Sequence, residues 1–180
     1  KRVAFESADP DLLKLLVGPL YGEDAAVGIR ELLQNSVDSV REIREVLSRH
    51  PELDEGARLE GRFSDADVEI VAEFEDGLPT AVQIADRGTG MSEEILLSYY
   101  LKAGASFRKS DAWRKQFEDE EGRSSVIRSG RFGVGALAAF LIGDEIEVRT
   151  RHYSVNDGLH FSASLDSDRI DIRRVEMPVG

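Results

Sequence analysis

Between Gly130 and Thr150 the chain reads Gly-Arg-Phe-Gly-Val-Gly-Ala-Leu-Ala-Ala-Phe-Leu-Ile-Gly-Asp-Glu-Ile-Glu-Val-Arg-Thr, and no other stretch restricts the fold as much. Gly130, Gly133 and Gly135 lead into a short apolar helix expected over Val134 to Ile142, which Gly143 ends. An alternating strand follows, with Ile146 and Val148 inward and Glu145, Glu147 and Arg149 outward. A glycine-rich turn opening a helix leaves several backbone N–H groups unpaired, and the helix dipole adds partial positive charge there, so the element favours a phosphate. The same spacing also serves a tight turn that needs glycine only for positive φ.

Upstream, a long helix is expected from near Glu23 to about Arg49, with Ile29, Leu32, Leu33, Val40, Ile43 and Leu47 on one side. The other side carries Glu31, Asn35 and Asp38, which fall within about 60° of one another at helical spacing. A solvated face would look like this. Yet the row also holds two carboxylates around a neutral carboxamide, with no lysine four residues after Glu31 to pair it.

An earlier helix is expected after Asp9-Pro10, carrying Leu12, Leu13, Leu15 and Leu16 and ended or kinked by Gly18-Pro19. Residues 50–66 read as a surface connection. Two strands are expected at Val68–Phe74 and Ala81–Asp86, joined through Asp76-Gly77 in a hairpin loosened by Pro79. The second delivers Asp86 into the turn Arg87-Gly88-Thr89-Gly90-Met91. Aspartate only accepts hydrogen bonds when ionised, so a pocket floored by Asp86 would select a ligand with an exposed N–H, such as the amino group of adenine. Asp and Gly are also common turn residues, and the turn alone is weak evidence.

Ser92 is placed to cap a short helix. Residues 102–130 are rich in Gly, Ser and mixed charge, and read as a lid whose Lys102, Arg108, Lys109, Arg123 and Arg128 could face phosphates; a solvated loop accounts for them equally well. Three strands close the chain, at Glu145–Arg151, Leu159–Leu165 and Ile170–Val175. Sequential antiparallel strands beside a helical layer give an α+β sandwich.

Composition narrows the function. With 180 residues the chain is sized for one domain. A net charge of −12, from 23 basic and 35 acidic residues, argues against binding nucleic acid by charge, while leaving a small anion held by backbone N–H groups and magnesium. No cysteine is present, which excludes disulfides, thiolate metal sites and thiol nucleophiles and fits a reducing, cytoplasmic setting. No apolar run approaches the roughly 20 residues of a membrane span, Lys1-Arg2-Val3 does not open a secretory signal, and His50, His152 and His160 are too scattered for a metal site.

The order of motifs is more telling than any one of them. Arg30-Glu31-Leu-Leu-Gln-Asn35-Ser-Val-Asp38-Ser, then Asp86-Arg-Gly-Thr-Gly-Met91, then Gly130-Arg-Phe-Gly-Val-Gly135 with Phe140-Leu141, resembles the GHKL ATPase superfamily over nearly the whole chain. Within it the chain looks most like the N-terminal ATP-binding domain of the ninety-kilodalton heat-shock chaperones. The resemblance implies a Bergerat-type fold, a two-layer α/β sandwich whose mostly antiparallel sheet is covered on one face by helices, with a last strand expected after Gly180. It implies one ATP-binding domain over 1–180, excised from a longer protein that dimerises through other parts.

The roles it implies are specific. Glu31 would be the catalytic base for the attacking water. Asn35 would give its oxygen to Mg²⁺, Asp38 would support the adenine or ribose side, and Asp86 would take the adenine amine. Gly88, Gly90 and Met91 would line the base, and Gly130, Phe132, Gly133, Val134 and Gly135 would hold the phosphates. ATP or ADP with Mg²⁺ is thus the implied cofactor and hydrolysis the implied activity. An ATP-gated regulatory domain of a multidomain effector, or a weakly catalytic interaction module, are the rival readings. Tyr99, where the family has a nucleotide-contacting asparagine, and Ala136, where an aromatic is usual, depart from the pattern.

Overall fold

A computed structural model describes residues 2–4, 24–53, 66–102, 105–127, 138–164 and 169–177. The expected helix around Leu12–Leu16, most of the 50–66 connection and the glycine-rich turn with Gly130, Phe132, Gly133, Val134 and Gly135 lie outside them.

Helix α1 spans Ala25–Arg49. It begins two residues later than expected, because extended Asp24 is its cap and accepts from the Ala26 N–H at 2.9 Å. It closes at His50, ahead of Pro51. Its burial does not follow the expected division. Ile29, Leu32, Leu33, Ile43 and Leu47 are only half-buried, whereas Ser36, Asp38 and Glu42 join Gly28, Val40 and Val46 inside. The polar row is therefore not a solvated face; other elements pack against it.

Strands β2 (Val68–Glu75) and β3 (Leu78–Asp86) form an antiparallel hairpin. Asp76 and Gly77 turn it with φ of 52° and 80°, the left-handed pair that matches strand twist. Pro79 does not loosen the turn. It sits inside β3 opposite Phe74, where a register shift after Glu73 interrupts the regular ladder and accommodates the missing N–H.

Ser92 caps α2 (Glu93–Ile95), accepting from the Ile95 N–H at 3.3 Å, and a single π-helical turn, Leu96–Tyr100, follows. Segment 105–127 is ordered rather than an open loop. It contains a 3₁₀ turn (Phe107–Lys109), α3 (Asp111–Phe117) capped by Ser110, and a bridge from Glu118 to Ser124. The expected helix ahead of Gly143 is described only from Ala138, and there it is a 3₁₀ turn over Ala139–Leu141.

Strand β4 (Glu145–Thr150) pairs antiparallel with β5 (Gly158–Ser164). The last expected strand divides at buried Ile172: β6 (Arg169–Asp171) pairs with β1 (Arg2–Ala4), and β7 (Arg173–Val175) pairs with β5. The α+β character holds and every pairing is antiparallel. Among the described residues the strands make three small sheets instead of one; the chain leaving β3 meets the end of β4 beyond Asp86, where the Met91 N–H donates to Thr150 and the Tyr153 N–H to the Thr89 carbonyl at 3.1 Å.

Two apolar cores result. Leu96, Leu101, Leu159, Phe161, Ala163, Ile170 and Ile172 pack under β4 and β5, with Ile146 and Val148 turned inward as the alternation requires. Val46, Trp113, Phe117 and Val126 form the second, between α1 and segment 105–127.

Candidate functional site

Helix α1 organises the site. At about 100° per residue Gly28, Glu31, Asn35, Ser39 and Glu42 fall within about 80° of one another, and three separate parts of the chain meet this face. Near its start, a Cβ on Gly28 would lie 2.6 Å from the Ala138 carbonyl and 2.8 Å from Ile142, so the segment beginning at Ala138 rests on the helix. In the middle, the Ser39 hydroxyl accepts from the Thr89 N–H at 3.0 Å. Further on, Glu42 accepts from the Trp113 indole at 2.9 Å and from Arg108 Nε at 2.5 Å.

Asp86, the last residue of β3, keeps an open side, but protein crowds its carboxylate. Oδ1 accepts from the Gly88 N–H at 2.9 Å, and the hydroxyls of Ser36 and Ser39 lie nearby. Burial raises its pKa above the ordinary carboxylate value; the Gly88 bond, the two hydroxyls and the Arg108 charge oppose the rise without cancelling it. Such a carboxylate keeps acceptor capacity beyond its Gly88 bond. The turn beyond it is tightly held. Gly90 has φ of 61°, and a Cβ there would come within 1.9 Å of the Arg151 carbonyl, so only glycine fits. The Met91 N–H donates to Thr150 Oγ1 at 2.8 Å, and the Met91 side chain leans on the β4–β5 core.

Glu31 and Asn35 are half-buried on the same helix face. Glu31 is not left alone, as the missing i+4 lysine would have it: the guanidinium of Arg30 lies 3.3 Å from Oε1. Among the described residues the Asn35 carboxamide makes no hydrogen bond. Asp38 has no exposed surface and lies 3.4 Å from Arg41, so it stands behind the site surface. The phosphate-side residues Gly130, Phe132, Gly133, Val134 and Gly135 lie outside the described residues. Among the described residues no cluster of three His, Asp or Glu forms a ready cation site.

Comparison with known proteins decides the family. Residues 24–176 match the family described as histidine kinase-, DNA gyrase B-, and HSP90-like ATPase. The chain belongs to this ATPase family. It is also 32% identical over 147 residues to the chaperone protein HtpG of Aliivibrio fischeri, a match that covers 82% of this chain and 21% of that chaperone. The chain therefore spans about a fifth of the length of that relative.

In this GHKL-type domain, sequence reasoning missed Ser36, Ser39 and Glu42. Ser39 and Glu42 lie four residues beyond Asn35 and Asp38, and extending the polar row by one turn would have found them. Of the basic residues in 102–130, for which a phosphate-facing lid and a solvated loop are equally open in the sequence, Arg108 is engaged by Glu42 and Arg123 by Asp119 and Glu121. Arg128 lies outside the described residues, and the side chains of Lys102 and Lys109 are exposed. No described helix is long and apolar enough to cross a membrane.

Proposed function

We propose that this domain binds an adenine nucleotide as its magnesium complex and that the protein carrying it hydrolyses ATP to drive a clamp cycle of the heat-shock-chaperone kind, as a dimer formed through parts outside this stretch. Membership of the ATPase family supports nucleotide binding. The observation that carries the reading to residues is the single face of α1, which meets both the segment beginning at Ala138 and the Asp86 turn at Ser39.

In this reading Asp86 accepts the adenine amine, backed by the Gly88 N–H and the serine hydroxyls, with Gly88, Gly90 and Met91 beside the base. Asp38 fixes the helix side from behind. Gly130, Phe132, Gly133, Val134 and Gly135 supply backbone N–H groups to the phosphates. Magnesium keeps most of its shell from phosphate oxygens and water, so a neutral oxygen from Asn35 suffices on the protein side, and no carboxylate cage is needed. Bound there, the ion would neutralise phosphate charge. Glu31 orients a water and takes its proton, a contribution of about 10²–10⁴-fold. Segment 105–127 acts as the lid.

Calorimetric titration with Mg·ATP, Mg·ADP and Mg·GTP tests this. Saturable binding of both adenine nucleotides, with GTP much weaker, is expected. No adenine-nucleotide binding would remove the proposal.

A further inference from the structure

Segment 105–127 is not merely laid over α1 but fastened to it at one buried carboxylate. Glu42 is 3% exposed and takes two donors from this segment, the Arg108 guanidinium and the Trp113 indole, which is itself wholly buried. Trp113 and Phe117 then close on Val46, one turn further along the helix. Glu42 also lies only three residues after Ser39, the hydroxyl that holds the Asp86 turn. An arginine fixed on Glu42 is thus held about one helical turn along α1 from the serine that holds the turn after Asp86.

We propose that Glu42 and Arg108 form a latch that seats segment 105–127 on α1 and, in doing so, positions the Arg108 charge to favour nucleotide at Asp86. The proposal rests on the nucleotide-binding reading above. Arg108 is a positioning residue: it acts on the purine through Asp86 and not by touching the reacting phosphates. The Coulombic pull of Arg108 on the Asp86 carboxyl, opposing the effect of burial, agrees with this.

The molecule supplies its own probe. Trp113 is the sole tryptophan of the chain, and it sits in the latch. Acrylamide quenching of Trp113 and Mg·ADP affinity are measured for wild type, R108Q, R108K, E42Q and the E42Q/R108Q pair. Both single losses should raise quenching and weaken Mg·ADP by about 3- to 10-fold, the size of one partly buried charge contact. The double variant should be little worse than either single, since both break one contact. R108K, which keeps the charge, should recover affinity to within about 2-fold. Greater quenching with unchanged affinity would show packing without coupling and overturn the proposal. Unchanged quenching would show no latch and overturn it too. If wild type binds no adenine nucleotide, the functional reading falls and this one with it; if wild type binds and the variants match it, only this one falls.

Discussion

Replacing Asp86 by asparagine puts the purine assignment at risk most directly. Oδ1 of the carboxylate accepts from the Gly88 N–H at 2.9 Å, and the hydroxyls of Ser36 and Ser39 lie nearby. A carboxamide offers one acceptor and two donors in the same space. If its oxygen turns to Gly88, the NH₂ meets the adenine amine donor to donor. If it turns outward, the NH₂ faces the Gly88 N–H, and only the serine hydroxyls can reorient to relieve it. A hydrogen bond to a charged group contributes about 1.5–3 kcal/mol. Its loss should therefore weaken Mg·ADP about 10- to 150-fold at about 1.4 kcal/mol per decade. The lower half of that range is expected, since Asp86 keeps an open side. Guanine presents a carbonyl where adenine has its amine, so the ratio of ADP to GDP affinity should fall by more than the ADP affinity of any neighbouring variant would suggest. Calorimetry gives both constants, and thermal melts confirm folding. Wild-type affinity with an unchanged ADP-to-GDP ratio in a folded Asp86→Asn protein would refute the reasoning.

Three other outcomes are expected. Glu31→Ala should leave Mg·ADP affinity within about 2-fold but cut hydrolysis by the protein carrying this domain about 10²–10⁴-fold, read as phosphate release; normal turnover would mean another base. Gly90→Ala should cost about 2–4 kcal/mol of stability, from positive φ and a 1.9 Å approach to the Arg151 carbonyl, whereas Gly77→Ala, at φ of 80° with open space, should cost only about 1 kcal/mol; equal urea midpoints would contradict the geometry. Because burial raises the Asp86 pKa in the fold, the folded state holds that proton where the unfolded chain has lost it. Stability from this group is thus present at low pH, declines as pH rises from about 3.8 through the raised value, and is flat above; melts of wild type and Asp86→Asn across mild acid should diverge in that window and run parallel above it.

Local chemistry made much of this fold legible. The Asp76-Gly77 hairpin, the Ser92 cap and the alternation of Ile146 and Val148 each depend on neighbours within a few residues, and all three appear as expected. What stayed hidden depends on partners distant in sequence. Nothing near Ser36 or Glu42 announces that Asp86 or Trp113 will pack on them, 50 and 71 positions away. Charge was uninformative for the same reason: the sequence left Arg108 open between a phosphate and solvent because its carboxylate partner lies on another element. The division at Ile172 is likewise set by two different strands competing for one run. For the site, the family motifs placed Asp86 and the α1 row in one neighbourhood, but not the depth of Asp38 or the Arg30 partner of Glu31.

The 25-residue α1 has a consequence for how such a domain can vary. Gly28, Ser39 and Glu42 each meet a different part of the chain, and a rigid rod about 37 Å long fixes their angular phase. One residue inserted after Asn35 would swing Ser39 and Glu42 about 100° away from their partners while leaving every motif spelled correctly. In this helix the count between landmarks is as much a part of the message as the letters.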